Sequence, residues 1–301
     1  EEPFPCFPIR KKNTMKSAPR PKLFLTCSTR IFPPNHYHHT DTVPAESTYR
    51  YTPDGTLVSI DEPEPRLLVA DSWLAKEGHV RALHLHRRRF LSSCTELAGI
   101  HEKTVAPFWE KVLEKIPKTG LWFPRIELAG TVRQPVFQLR IRKAPPLHST
   151  VRLIDCHIAD FRKKPRHKGP DLDRMGAIRR ILLEKGAEEG ILTTPEGYIL
   201  EGLTTNILWW ENNTLCSAPP AYRILPGITG KLVQLVALRN NIPVVRRKRK
   251  LQDLNNREVW AINALHGIRR AVNWACSPFR TTSHVDIGHW RNALENFNEK
   301  I

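Results

Sequence analysis

The run of residues 168–206, KGPDLDRMGAIRRILLEKGAEEGILTTPEGYILEGLTTN, constrains this chain more than any other stretch. Leu172, Met175, Ile178 and Leu182 recur three to four residues apart, the spacing of one apolar face of a helix. Asp171 is placed to cap its start and Gly186 to end it. Residues 191–193 and 198–201 then flank Thr194-Pro195-Glu196-Gly197, where proline second and glycine fourth suit a type I turn. The expected unit is a loop carrying Lys168, a helix, and a hairpin whose second strand returns Glu201 and Asn206 toward that loop.

At 301 residues the chain exceeds the usual single-domain range, so two domains with a sizeable core are expected. Residues 1–50 read as a proline-rich extension without periodicity, 51–155 as an N-terminal α+β domain, 156–167 as a polar, basic linker and 168–301 as a C-terminal domain. A lysine at such a junction faces the kind of cleft in which ligand pockets form. Further strands are predicted at 67–73, 120–128, 136–141, 150–154, 207–210, 214–217, 242–245, 259–262 and 271–274, and helices at 84–98, 105–116, after Ile228-Thr229 and at 288–297.

A net charge of +17 is of the sign that binds phosphate backbones. No nucleic-acid motif accompanies it, and the basic run at residues 246–250 reads as a solvated strand end. A basic surface also draws in small anions. The six cysteines include no CxxC pair, which fits a reducing, cytoplasmic compartment. His36, His38 and His39 lack partners at ligand spacing, so no metal is expected. No apolar run reaches the roughly 18 residues of a membrane span. A secretory leader is not expected, because its apolar core is broken by Pro3, Pro5, Pro8 and the charges at residues 10–12.

In this order Arg89, Lys168, Glu201, Asn206, Ile228-Thr229 and Asn263, with the motifs EGLTTN, ILPGIT and NALHGI, resemble the class IV aminotransferases. That fold-type IV pyridoxal phosphate family includes branched-chain and D-amino acid aminotransferases and aminodeoxychorismate lyase. The resemblance covers residues 51–274. It implies a two-domain α/β (α+β) fold, with a smaller N-terminal α+β domain and a larger C-terminal α/β domain that binds the cofactor.

By that resemblance Lys168 forms the Schiff base with the aldehyde of pyridoxal 5'-phosphate and carries the proton during turnover. The task needs an amine whose pKa is lowered by burial and a neighbouring arginine. Glu201 would pair with the ring nitrogen, and Arg89 with the helix start at Ile228 and Thr229 would hold the phosphate. Asn206 would position the carboxylate, and Asn263 would lie near the phosphate or the substrate. Arg223, His266, Arg269 and Arg270 are the positions from which a substrate carboxylate would be met. Lys163 and Lys164 compete with Lys168, and Arg87 and Arg88 with Arg89. Gly230 stands where many members carry arginine, and Gly-Pro-Asp follows Lys168 in place of the segments of several subgroups. The expected activity is amino-group transfer between an amino acid and a 2-oxo acid in a homodimer. Aminodeoxychorismate lyase chemistry, giving 4-aminobenzoate and pyruvate, is the alternative within the family. A basic nucleic-acid-binding protein on a non-catalytic version of the fold is the alternative of another class.

Overall fold

Phe137, Leu139 and Ile141 alternate along the chain with Gln138 and Arg140, and a strand places two such sets on opposite faces. The computed structural model describes residues 46–301 other than Pro65, and it uses this alternation in a five-stranded antiparallel sheet. In chain order, β1 (Ser47–Tyr51), β2 (Leu57–Ile60) and β3 (Leu67–Ser72) precede the short β4 (Ala75–Lys76) and β5 (His79–Arg81) and the helices α1 (Leu83–Ala98) and α2 (Glu102–Lys115). After the short β6 (Leu121–Trp122) come β7 (Arg125–Gly130) and β8 (Pro135–Ile141), and the sheet order is β2-β1-β8-β7-β3. One face packs Val69, Ile126, Leu128, Phe137 and Leu139 against Phe90, Phe108 and Val112 of the two helices. The opposite face carries Ser72, Arg125, Glu127, Gln138 and Arg140, set across from one another by the strand register.

The chain crosses to a second sheet through β9 (Thr150–Ala159). There follow α3 (Leu172–Glu184), β10 (Glu189–Thr193), β11 (Ile199–Gly202), β12 (Asn206–Glu211), β13 (Thr214–Ser217), α4 (Ile228–Arg239), β14 (Val244–Arg246), β15 (Val259–Asn263) and β16 (Gly267–Trp274). The tail forms α5 (Ile287–Glu295) and β17 (Asn298–Lys300), the latter pairing with β5. The mixed eight-stranded order is β11-β10-β9-β16-β15-β12-β13-β14. Val151 and Leu153 of β9 bury with Ile191, Ala261 and Ala271 in a core of this sheet. The strand expected at 150–154 as the close of the N-terminal domain is therefore central to the second sheet, and it runs on through 156–159 of the expected linker. No helix among the described residues is long and apolar enough to cross a membrane.

The unit read from residues 168–206 takes the expected form: α3, then β10 and β11 paired antiparallel, with Gly197 N–H donating to Thr194 O at 2.9 Å across the turn. Asp171 departs from its expected role. Its side chain makes no capping bond to α3 and accepts instead from the amides of Lys163 and Lys164, both at 3.1 Å, tying the loop before Lys168 to the helix start. The basic run at 246–250 is less solvated than expected, since Arg247 and Arg249 converge on Glu211 and Arg246 binds Ser217 and Gln234. β1 begins at Ser47, ahead of the expected limit at residue 51; the rest of the expected extension, with His36, His38 and His39, lies outside the described residues.

Candidate active site

The apolar run of β3 ends in a polar pair, Asp71-Ser72, and alternation sends the two side chains to opposite faces. Asp71 turns toward α1, where His86 and Arg89, three residues apart, share one side of the helix. Arg89 grips the carboxylate with both arms, Nε to Oδ2 at 2.8 Å and Nη2 to Oδ1 at 2.7 Å, while His86 Nδ1 lies 2.8 Å from Oδ1. Burial opposes charge on Asp71, but Arg89 and His86 outweigh it and hold the carboxyl well below its usual range. Burial likewise lowers the pKa of His86 against the pull of Asp71.

Ser72 turns the other way and meets Lys168. The contact depends on Gly169, whose φ of +142° belongs to glycine, and where an added Cβ would lie 2.8 Å from Val69 Cα and 3.0 Å from Ala70 N. With no side chain there, the loop lies flat on β3, Lys168 O accepts Ala70 N–H at 2.7 Å, and Lys168 Nζ donates to Ser72 Oγ at 2.8 Å. Loss of hydration, reinforced by Arg89, Arg142 and Arg125, pushes the Lys168 amine down to about 7 against the attraction of Asp71. The competing lysines, Lys163 and Lys164, are exposed; of the competing arginines, Arg88 is exposed and Arg87 pairs with Glu102. Gly169→Ala is expected to cost about 1–3 kcal/mol, since the obstruction is backbone and cannot swing aside; urea unfolding measures it.

Glu201 on β11 is 3% exposed, and its carboxylate accepts from Leu225 N–H at 2.9 Å and from Asn206 Nδ2 at 2.8 Å. The guanidinium of Arg162, held by Asp160 at 2.8 Å, also donates to it. Burial raises the Glu201 carboxyl to about 7, with Arg162 and the Leu225 amide acting against the rise. Asn206 donates a second bond to Leu225 O at 3.1 Å, and its Oδ1 lies where a side chain on Gly227 would collide with it. Gly227 precedes α4, so Ile228 and Thr229, both buried, supply first-turn amides with no carbonyl one turn back to bond. Arg89 Nη1 reaches Pro226 O at a long 3.4 Å. A chain of contacts thus joins Lys168, Ser72, Asp71 and Arg89 to residues 225–229, and from there to Asn206, Glu201 and Arg162.

Other expected positions fall differently. His266 lines a cavity of about 140 Å³ together with His86, Ile228 and Thr229, and burial with nearby Arg269 pushes its ring down to about 3. Asn263 is spent on a turn, its Oδ1 accepting from Leu265 N–H at 3.2 Å and His266 N–H at 2.8 Å. Arg223 is exposed at the left-handed end of a short 3-10 turn. Arg269 is buried 3.7 Å from Glu189, and Arg270 is bound to Glu258 at 3.0 Å. Among the described residues no side-chain bond links Arg223, Arg269 or Arg270 to Lys168, Ser72, Asp71 or Arg89; Arg223 is exposed, and buried carboxylates face the other two. Sequence reading missed Asp71, Ser72 and Arg162. The polar pair closing an apolar strand was the one available signal for the first two.

The fold is that of the fold-type IV aminotransferases. A fold IV transaminase from Curtobacterium pusillum aligns with a TM-score of 0.69 at 18% identity, over 83% of this chain and 98% of that one. A hypothetical aminotransferase from Mycobacterium tuberculosis in its pyridoxal phosphate-bound form aligns at 0.68 and 17%, over 82% and 97%. A putative 4-amino-4-deoxychorismate lyase from Legionella pneumophila aligns at 0.67 and 18%, over 76% and 90%. The family model of amino-transferase class IV matches residues 68–274, and the chain belongs to that family. No curated protein matches the sequence.

Proposed function

We propose that this chain is a pyridoxal phosphate-dependent aminotransferase with Lys168 as the covalent attachment point. The observation that carries the reading is Lys168 itself, an amine pushed down to about 7 and bonded to Ser72, next in sequence to the aspartate that anchors Arg89. The residues present fit the cofactor. A phosphate dianion suits the partly free Arg89 guanidinium and the unbonded amides at the α4 start. A protonated ring nitrogen suits Glu201, whose raised pKa a nearby cation would bring down.

Pyridoxal phosphate, when bound, supplies an aldehyde that condenses with amines and a ring that takes up the electron pair released at the amine-bearing carbon. Near neutral pH a large share of Lys168 is unprotonated, so its lone pair is available for attack. With the cofactor bound, Lys168 would be the group that moves a proton between the substrate carbon and the cofactor. Asn206 and Leu225 N–H fix the Glu201 carboxylate while Asp71 fixes Arg89, so neither anchor has to reorganise during turnover. An amino acid leaves its nitrogen in one half-reaction, and a 2-oxo acid collects it in the other. The homodimer belongs to the same reading and is checked by light scattering.

The test is the absorbance band at about 410 to 430 nm expected of a lysine-bound cofactor, followed by its loss on adding single amino acids. A protein that takes up no cofactor contradicts the proposal. Release of 4-aminobenzoate from aminodeoxychorismate, with no amino-acid conversion, would move the chain to the lyase side of the family. Because attack needs the neutral amine, the rate of cofactor uptake by the apoprotein is expected to rise with pH through about 7, following the Lys168 titration. Stopped-flow absorbance across pH 5 to 9, roughly the range in which such a titration is complete, measures it.

A further inference from the structure

The basic run at residues 246–250 is divided by the alternation of an extended chain. Arg247 and Arg249 turn inward to share Glu211, and Arg246 is spent on Ser217 and Gln234, so the arginines serve the fold. Lys248 and Lys250 face the other way. Lys248 Nζ lies 5.8 Å from the centre of the Tyr222 ring, and Lys250 Nζ lies 5.6 Å from the centre of the Tyr198 ring.

Segments far apart in the chain meet at this place. Tyr198 enters β11 and bridges through its backbone to Lys250, while Tyr222 closes the short 3-10 turn Pro220–Tyr222. The two rings are half-buried, with centroids 6.4 Å apart and planes inclined by 32°. Exposed Arg223 follows Tyr222, and exposed Arg166 reaches Pro220 O through Nη2 at 3.3 Å. Two tyrosines are thus bordered by four cations, Arg166, Arg223, Lys248 and Lys250. Among the described residues no carboxylate forms an ion pair with any of the four. Two acids lie close: exposed Glu196, which feels the charge of Lys248 without pairing with it, and Asp253, whose carboxylate accepts Lys250 N–H at 2.8 Å. Like charges gathered without partners repel one another, and a polyanion relieves the repulsion.

The rings decide between polyanions. An acidic peptide or an anionic lipid surface needs cations alone, whereas an unpaired base also offers a flat π-face, and stacking on aromatic side chains beside a basic track is how single strands are held. In a duplex the base faces are already stacked on one another. Both lysines stand near the outer limit of about 6 Å for a cation over a ring, so each is loosely held and free to swing to a phosphate as a base takes its place.

We propose that this patch binds single-stranded nucleic acid, with bases stacked on Tyr198 and Tyr222 and phosphates met by Arg166, Arg223, Lys248 and Lys250. The inference stands apart from the role of Lys168, and neither result below bears on that role. Fluorescence anisotropy of the full chain is measured with labelled single-stranded RNA and DNA of about 12 nucleotides, within the span such surfaces occupy. A duplex of equal length, polyglutamate and phosphatidylserine vesicles serve as competitors. Both single strands are expected to bind, and the one bound more tightly identifies the natural source. The logarithm of affinity is expected to fall against that of salt with a slope of about −3, from about −0.7 for each of four phosphate contacts. Lys248→Gln combined with Lys250→Gln is expected to weaken binding and bring the slope to about −1.4. Tyr198→Leu combined with Tyr222→Leu is expected to weaken it by about tenfold or more at an unchanged slope. Lys103→Gln combined with Arg133→Gln, an equal loss of charge at exposed positions elsewhere, is expected to change neither. Cofactor uptake and the urea midpoint of the lysine pair are expected to match wild type, which separates lost binding from lost folding. A wild-type chain that binds no single strand overturns the inference. Duplex, polyglutamate or vesicles that compete as well as a single strand, with the tyrosine pair unaffected, overturn it in favour of a general anion surface. An equal loss in the Lys103 and Arg133 variant leaves only the net charge of +17 as the cause and overturns it too.

Discussion

Asp71→Ala is expected to lower stability by about 3–5 kcal/mol, the range seen when one member of a buried ion pair is removed and the other is left without compensation. The Arg89 side chain is 10% exposed and the Asp71 side chain fully buried, so little water reaches the orphaned guanidinium. His86 loses its partner in the same substitution, and Ser72 loses the carboxylate that fixes its amide at 2.7 Å. The pH dependence follows from the depressed Asp71 pKa. A carboxyl that titrates lower in the folded than in the unfolded protein contributes stability that is fully present above the unfolded pKa of about 3.9 and is lost as pH falls toward the folded value. The gap between wild type and Asp71→Asn is therefore expected to be steady from about pH 5 to 8 and to close below about pH 4. Urea unfolding of both proteins across that range tests it, and equal midpoints at neutral pH contradict the anchoring role. Cofactor affinity is expected to fall with stability, since Arg89 would no longer be aimed at residues 226–229.

Lys168→Ala is expected to reduce turnover by about 10³-fold or more, because under the proposed function one amine would serve as both nucleophile and proton carrier. The same substitution is expected to relieve a cost. The Lys168 pKa is lowered to about 7, so between that value and the unfolded value of about 10.4 the unfolded chain binds the extra proton. Stability attributable to this group then rises with pH across the interval. Against wild-type apoprotein, Lys168→Met is expected to gain its full advantage at and below about pH 7 and to lose it toward about pH 10, as thermal unfolding at matched pH measures. A variant inactive at every pH yet more stable near neutrality is the signature of a group held charge-poor for chemistry.

How far the sequence carried depended on distance along the chain. The α3 and hairpin unit was legible because its signals are local: an apolar period, a Pro-Gly turn, and a glycine after the helix. Lys168 and Glu201 came from the order of family motifs in that same region. Their supports did not. Ser72 is 96 residues from Lys168, and Arg162 is 39 from Glu201 inside a run whose basic composition read as a linker. β9 was cut short for the same reason, since its partners β10 and β16 both follow it in the chain and nothing local announces a parallel strand. Arg223, Arg269 and Arg270 stand out in the sequence only by charge and position. Charge alone does not reveal that Glu189 faces Arg269 or that Glu258 holds Arg270. The Gly-Pro-Asp after Lys168 looked like a departure from the family pattern, and Gly169 in it proves to be what allows the lysine loop to lie on β3.

Under the proposed function, Lys168 is the residue to which the cofactor attaches. Apoprotein mixed with an equimolar amount of pyridoxal phosphate, reduced with borohydride and digested, yields a modified peptide that mass spectrometry can place. One dominant adduct is expected, on Lys168, absent from Lys168→Ala. An adduct on Lys163, Lys164 or another lysine, or label spread across the surface with none at Lys168, would contradict it.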